Sequence, residues 1–90
     1  GTSTMAKIEI YTGMMCGYCS AAKRLLKKKG VEFDETDVSF SSGKRNEMMA
    51  RANGQHSVPQ IFIDDAHIGG CDDLYALESA GKLDAMIGIS

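Results

Sequence analysis

The stretch that decides the fold is KIEIYTGMMCGYC, residues 7–19. Its first half alternates β-branched and polar residues, which predicts a β-strand over Lys7–Tyr11. A basic segment with helical spacing of its apolar residues follows, so Cys16 and Cys19 lie at a strand-to-helix junction. The first turn of a helix has unpaired N–H groups and a partial positive charge, which stabilise a thiolate over a thiol. The position therefore predicts cysteines that exchange disulfides or bind a soft metal.

Composition excludes several function classes. The chain has 90 residues, enough for one modest core, and 43% of them are hydrophobic and 24% charged, as in ordinary globular proteins. A net charge of −2 argues against a nucleic-acid partner held by general phosphate attraction. Residues 1–51 carry nine Lys and Arg against six Asp and Glu, and residues 52–90 carry one against six. We interpret this asymmetry as solvated faces.

The cellular setting follows from the cysteines and from the absence of export signals. No apolar run is long enough to span a bilayer and no secretory signal pattern is seen, so no membrane partner is expected. Three cysteines do not form a secreted disulfide framework, which favours a cytoplasmic location. We expect residues 1–4, before Met5, to be a remnant of the expression vector and residues 5–90 to form a single domain.

The remaining pattern predicts an α/β fold of four strands and three principal helices. A strand–helix–strand unit of this length implies a right-handed crossover and a parallel pair. The turn at Asp64-Asp65 predicts an antiparallel hairpin. In the first helix, an apolar face is expected from Tyr18, Ala22, Leu25 and Leu26. In chain order the predicted elements are strand 7–11, helix 17–29, strand 31–38, helix 42–52, strand 60–63, strand 66–68, helix 71–78 and a short helical turn at 82–87.

Three uses of the thiols fit the residues. In disulfide exchange, Cys16 would be the more exposed nucleophile and Cys19, one turn into the helix, the buried resolving thiol. In metal transport, GMMCGYC (residues 13–19) resembles the G-M-x-C-x-x-C loop of heavy-metal-associated copper carriers, although that family has a βαββαβ order. A structural zinc site would need two further ligands, and the available side chains lack paired metal-ligand spacing. Those side chains are Cys71, His56 and His67.

Segments farther along the chain carry a more specific resemblance. The CGYC motif is followed by SVPQIFID at residues 57–64 and by HIGGCDDLYAL at residues 67–77. In this order and spacing the motifs resemble dithiol glutaredoxins, above all the bacterial glutaredoxin 3 type, over residues 6–83. The resemblance implies a thioredoxin-like fold, a four-stranded mixed sheet flanked by three principal helices. It also implies a cis peptide bond before Pro59.

The resemblance further implies a glutathione-dependent thiol–disulfide oxidoreductase that serves electron transport and cell redox homeostasis. Cys16 would be the nucleophile and Cys19 the resolving thiol. The partners implied are glutathione and client proteins that contain disulfides or are glutathionylated, and we expect a monomer. The residues expected to contact glutathione are Tyr18, Ser57, Val58, Pro59, Gly70, Cys71 and Asp72.

Two glycines depart from the family pattern. Gly17 stands where most dithiol members have proline, and Gly13 stands where the family often has a lysine for the glycine carboxylate of glutathione. Family members with a small residue at the position of Gly17 resemble those that share a [2Fe–2S] cluster between two protomers. A dimer with Cys16 as cluster ligand is therefore a second hypothesis. Candidates to replace the lysine are Lys44, Arg45 and Gln55.

Overall fold

The computed structural model describes residues 6–88, so the expected remnant at residues 1–4 lies outside the described residues. The element order confirms the predicted α/β pattern, with small shifts at the element ends. The strands are β1 (Ile8–Thr12), β2 (Asp34–Asp37), β3 (Gln60–Ile63) and β4 (Ala66–Gly69). The helices are α1 (Gly17–Lys28), α2 (Ser42–Arg51), α3 (Cys71–Ser79) and a short α4 (Leu83–Met86).

The four strands form one mixed sheet in the order β2-β1-β3-β4. β1 and β2 are parallel, as the connection through α1 predicts, and the pairs β1–β3 and β3–β4 are antiparallel. β2 is shorter than its alternation predicts. The Val31 N–H donates to the Leu26 carbonyl oxygen at 3.4 Å, so the backbone there still completes the end of α1 and joins no strand ladder.

Each face of the sheet covers its own apolar cluster, because successive strand side chains point to opposite faces. Ile10 and Ile61 belong to the larger cluster, which also contains Leu26 of α1 and Leu74 of α3. The second cluster forms with α2 on the other face and contains Tyr11, Val38, Met48, Ala52 and Phe62. The thiol-bearing helix α1 and the acidic helix α3 thus pack against the same cluster.

The predicted apolar face of α1 is wrong at one position. Tyr18 is 68% exposed, whereas Cys19 is 2% exposed and faces inward. The inward residues of this helix are therefore Cys19, Ala22, Leu25 and Leu26, which recur at helical spacing. Tyr18 is left beside Cys16 at the surface, where a bound molecule can reach it.

Arg51 ties α2 to the sheet. Its guanidinium donates to both carboxylate oxygens of Glu9, at 2.9 and 3.1 Å, and to the Tyr11 hydroxyl at 2.8 Å. It also lies 4.1 Å from the centre of the Phe62 ring. The hydrogen bond from Arg51 lowers the pKa of Glu9 below its usual value, so the pair stays ionised at neutral pH.

Two backbone features shape the loops near the thiols. The Val58–Pro59 peptide bond is cis, as the resemblance implies. Gly69 has a φ of 120°, and a side chain at this position would overlap the Asp73 carboxylate. Glycine thus allows Asp73 to accept the Gly70 N–H at 3.0 Å, which fixes the start of α3.

Leu26 offers a direct test of the packing beneath α1. It is fully buried, so Leu26→Ala removes apolar contacts and leaves a cavity. We expect the free energy of unfolding to fall by about 2–5 kcal/mol in urea denaturation. The matched control Lys27→Ala, on an exposed neighbour in the same helix, should change it by less than about 0.5 kcal/mol. Equal losses in the two variants would contradict the described packing.

Candidate active site

Cys16 is the N-cap residue of α1. Its backbone is extended, with φ −100° and ψ 106°, and its Sγ accepts the Cys19 N–H at 3.1 Å. A Ser, Thr, Asp or Asn oxygen usually takes this position and accepts an N–H of the first turn. Here the acceptor is sulfur, and a negative sulfur is stabilised both by that N–H and by the positive end of the helix. The cap is therefore a site where a thiolate can form.

The loop before β3 approaches the same sulfur. The Cys16 thiol lies 3.7 Å from the Val58 carbonyl oxygen, to which it donates a weak hydrogen bond. The cis peptide bond to Pro59 follows directly. The Val58 backbone thus lies next to the thiol, where it can contact a small sulfur compound bonded to Cys16.

Cys19 is chemically unlike Cys16. Burial, together with the hydrogen bond to Cys16, raises the pKa of Cys19 to about 12. Cys19 is therefore a thiol at neutral pH, while Cys16 is partly exposed. The structure thus has the unequal pair, one accessible sulfur and one buried sulfur, that the sequence predicts.

A groove of about 330 Å³ begins beside Cys16 and ends at α3. It contains every residue that the sequence predicts for glutathione contact, so the structure brings together segments that lie some forty and fifty residues apart in the chain. Gln60 was not predicted. A polar residue within the otherwise apolar run QIFI was the signal that could have found it. The lining residues are Tyr18, Gln55, Ser57, Val58, Pro59, Gln60, Gly70, Cys71, Asp72 and Asp73.

The far end of the groove favours an anion. The N-terminus of α3 lies there, and first-turn N–H groups have no partner within their own helix. Cys71 is the first residue of this helix and is 8% exposed. Burial is the main cause that raises the pKa of the Cys71 thiol, so this third cysteine stays protonated and is not a competing thiolate.

The two glycines near Cys16 differ in the space around them. A Cβ at Gly13 would lie 3.0 Å from the Val58 Cγ2 atom, so a lysine there would require the Val58 side chain to move. At Gly17 nothing lies within 4 Å of the corresponding position. Of the candidates to replace the missing lysine, Gln55 lines the groove, and the Arg45 guanidinium donates to the His56 carbonyl oxygen at 3.1 Å beside it. Lys44 instead faces Glu47, at 3.9 Å.

The geometry does not support the two metal hypotheses that rest on the residues alone. Between residues 6 and 88, no three or more His, Cys, Asp or Glu side chains are grouped to hold a metal ion. His67 Nε2 is 2.7 Å from the Gln60 Oε1 atom, so the proposed zinc ligand is already engaged. The observed strand and helix order also differs from the βαββαβ order of the copper carriers. Within the same described range, no helix has the length and apolar character needed to cross a membrane.

A mixed sheet, a Cys-x-x-Cys pair at the start of a helix and a cis-proline loop against the first sulfur define a thiol–disulfide oxidoreductase of thioredoxin-like fold. The glutaredoxin family model matches residues 8–68. Glutaredoxin 3 of Escherichia coli is 54% identical over 83 residues, which cover 92% of this chain and 99% of that protein. The chain therefore belongs to the glutaredoxin family, and the resemblance found in its sequence is confirmed.

Solved structures agree. The solution structure of glutaredoxin from Brucella melitensis superposes with a TM-score of 0.85 at 50% identity, covering 98% of this chain and 95% of that one. A buckwheat glutaredoxin–glutathione complex superposes with a TM-score of 0.82 at 30% identity, covering 94% and 83%. The protein is thus an oxidoreductase of this family with its thioredoxin-like fold.

The inequality of the thiols predicts selective alkylation. At pH 8 a pKa of about 12 leaves about one Cys19 side chain in ten thousand as thiolate, so brief exposure to iodoacetamide should modify Cys16 and spare Cys19. At pH values below that pKa, the rate of Cys19 alkylation should rise about tenfold for each unit by which the pH is raised. Peptide mass mapping measures both. In the control Cys16→Ser, rapid modification of Cys19 at pH 8 would contradict the assignment.

Proposed function

We propose that this oxidoreductase is glutathione-dependent and reduces both glutathione mixed disulfides and protein disulfides. The observation that carries the proposal is the groove, because it runs from the Val58 backbone, whose carbonyl oxygen lies 3.7 Å from the Cys16 sulfur, to the N-terminus of α3. The buckwheat relative, whose structure is a glutathione complex, supports it.

Glutathione would lie extended along the groove. Its cysteine backbone pairs with the N–H and C=O of Val58, as an added strand pairs with an exposed edge. Its γ-glutamyl carboxylate lies at Gly70–Asp72 and meets the N–H groups of Cys71 and Asp72, since the Gly70 N–H already donates to Asp73, and its ammonium suits the Asp72 carboxylate. The glycine carboxylate extends toward Gln55. Arg45, whose guanidinium donates to the carbonyl oxygen of the next residue, His56, supplies a cation in place of the missing lysine. Tyr18 covers the sulfur.

Reduction of a glutathione mixed disulfide needs only Cys16. Its thiolate attacks the glutathione sulfur, the new sulfur–sulfur bond forms, and the client sulfur leaves as a thiolate that takes up a proton. A second glutathione thiolate then attacks the bound glutathione sulfur. Glutathione disulfide leaves, and the Cys16 thiolate is restored under the Cys19 N–H.

Reduction of a protein disulfide uses both thiols. Cys16 attacks one client sulfur and forms a mixed disulfide, and the second client sulfur leaves as a thiolate. Cys19 then gives its proton to the client thiolate just released and attacks the Cys16 sulfur, which releases the other client sulfur and leaves a Cys16–Cys19 disulfide. Two glutathione molecules return the pair to the dithiol and are oxidised to glutathione disulfide.

Client proteins would contact an apolar surface formed by the residues directly before Cys16 and by the loop before α2. Met14 is 58%, Met15 98% and Phe40 84% exposed. The loops that carry them meet where the Met14 N–H donates to the Ser39 hydroxyl. Met15 has a φ of 55°, a conformation uncommon for a residue other than glycine. Glutathione in the groove does not need these side chains, so they suit the protein part of a mixed disulfide.

Cysteine variants test the proposed roles. Cys16→Ser should abolish reduction of glutathionylated and disulfide-bonded clients alike. Cys19→Ser should keep the reduction of glutathione mixed disulfides, measured by coupled NADPH consumption, and lose the reduction of protein disulfides by at least about tenfold. If Cys19→Ser lost both activities, the division of roles would be wrong. If wild type reduced mixed disulfides equally well with and without glutathione, the proposed dependence on glutathione would be wrong.

A second candidate function is favoured by one observation, the open space at Gly17. Cys16 is the partly exposed thiol of the pair and Cys19 is buried, so a [2Fe–2S] cluster would be held by Cys16 from each of two protomers and by two glutathione thiolates. The residues present fit such a donor set because Cys16 is accessible and a side-chain atom at Gly17 would meet nothing within 4 Å. The bound cluster would supply a site for iron–sulfur transfer, with dimerisation as its consequence.

Gly17→Pro tests this candidate. Proline is favoured at the first position of a helix, so the variant should fold, but its ring fills the space beside Cys16 and removes the Gly17 N–H. After anaerobic reconstitution with iron, sulfide and glutathione, wild type and the control Gly17→Ala should show visible absorption bands and twice the monomer mass. Gly17→Pro should show neither. A colourless, monomeric wild type would remove the cluster proposal and leave the oxidoreductase proposal intact.

A further inference from the structure

Behind the groove, one buried amide connects three segments of the chain. Gln60, the first residue of β3, is 1% exposed, and it and Thr12 are the buried polar side chains of the described core. Its Nε2 donates to the Ser57 carbonyl oxygen at 3.0 Å, and the Ser57 hydroxyl and the Gln55 Oε1 atom both lie at 3.3 Å. Its Oε1 atom is 2.7 Å from His67 Nε2 on β4. A buried group that makes this many contacts fixes the parts it joins.

The chemistry of these groups determines which way the amide points. The Ser57 backbone carbonyl can only accept, so the NH₂ end of Gln60 must face it. The oxygen end then faces His67, and a hydrogen bond at 2.7 Å requires that His67 Nε2 carries a proton. His67 is thus the donor that keeps the Gln60 amide from turning over.

The groups that Gln60 holds belong to the groove. Gln55 and Ser57 line it, and Ser57 directly precedes Val58, whose backbone touches Cys16. Without the amide, the Ser57 carbonyl oxygen would lose this partner and the Gln55 side chain would be free to turn away. The wall of the groove would then have to be ordered each time a ligand binds.

We infer that Gln60 is a positioning residue for glutathione, and that the Nε2–H of His67 fixes its orientation so that Gln55 and Ser57 are held ready at the groove. This inference rests on the proposed glutathione dependence. Gln60 acts through its neighbours and does not touch the reacting sulfur. Its loss should therefore weaken binding of glutathione substrates more than it slows the chemistry at Cys16.

Three variants separate positioning from packing. Gln60→Met keeps the volume and length of the side chain but removes its hydrogen bonds. His67→Met removes the donor that faces Gln60, whereas His67→Gln restores an N–H donor on a similar side chain. His67 is only partly buried, so this matched pair should fold even if Gln60→Met does not. The substrate is a glutathionylated peptide, and the control reaction is alkylation of Cys16 by iodoacetamide.

We expect Gln60→Met to raise KM for the glutathionylated peptide about threefold to tenfold, the effect of one or two hydrogen bonds, with kcat and the Cys16 alkylation rate within about twofold of wild type. His67→Met should raise KM about threefold, and His67→Gln should return it to the wild-type value. ¹⁵N spectra of the free protein should show the proton of neutral His67 on Nε2.

Several results would overturn the inference. These are unchanged KM values in both methionine variants, no difference between His67→Gln and His67→Met, kcat and alkylation that fall together with binding, or a His67 ring protonated only on Nδ1. The proposed function is tested separately by comparing glutathionylated and cysteinylated peptides in wild type. Equal turnover of the two would contradict the glutathione site itself, and with it the role of Gln60. If wild type prefers the glutathionylated peptide and the variants keep that preference in full, only the role of Gln60 is contradicted.

Discussion

The hydrogen bond from the Cys19 N–H to the Cys16 sulfur is the interaction on which the rest of the site depends. It makes a sulfur atom the N-cap of α1, so the group that stabilises the helix is also the group that reacts. The same contact sets the geometry of the pair, because the residue that donates the N–H carries the second thiol. The first sulfur lies at the positive end of the helix, whereas burial raises the pKa of the second.

The fold surrounds this cap with two different surfaces. On one side the cis-proline loop and the start of α3 form a polar groove with backbone donors and acceptors, suited to a small peptide with charged ends. Next to Cys16 in the chain, Met14 and Met15 are exposed, and the hydrogen bond from the Met14 N–H to the Ser39 hydroxyl brings the loop with the exposed Phe40 alongside. The sheet makes the arrangement possible, since β1 leads into the cap and β3 begins right after the loop that faces it. A single accessible sulfur thus lies near both the groove and these exposed apolar side chains.

Much of this was predictable from the sequence, because local patterns and the family motifs agreed. The element order follows from strand alternation and helix spacing, whereas the cis Pro59 and the assembly of the groove from Tyr18, residues 57–59 and residues 70–72 follow from the resemblance to glutaredoxins. Two features do not follow from the sequence in this way. Helical spacing places Tyr18 inward, because spacing alone cannot tell which of two adjacent residues begins the buried face of the helix. Gln60 was passed over because a hydrogen-bond network that joins residues 55, 57 and 67 through one amide exists only in three dimensions.

The glutathione site is tested most directly by amide NMR of the Cys19→Ser variant. Spectra are compared for the free variant and for the variant whose Cys16 carries one glutathione through a disulfide bond. We predict the largest chemical-shift changes, together with nuclear Overhauser contacts to glutathione, at two places. One is the Val58 N–H, which then pairs with the glutathione backbone. The other is the first turn of α3, at the N–H groups of Cys71 and Asp72. Changes confined to Met14, Met15 and Phe40, with Val58 and α3 unaffected, would contradict it.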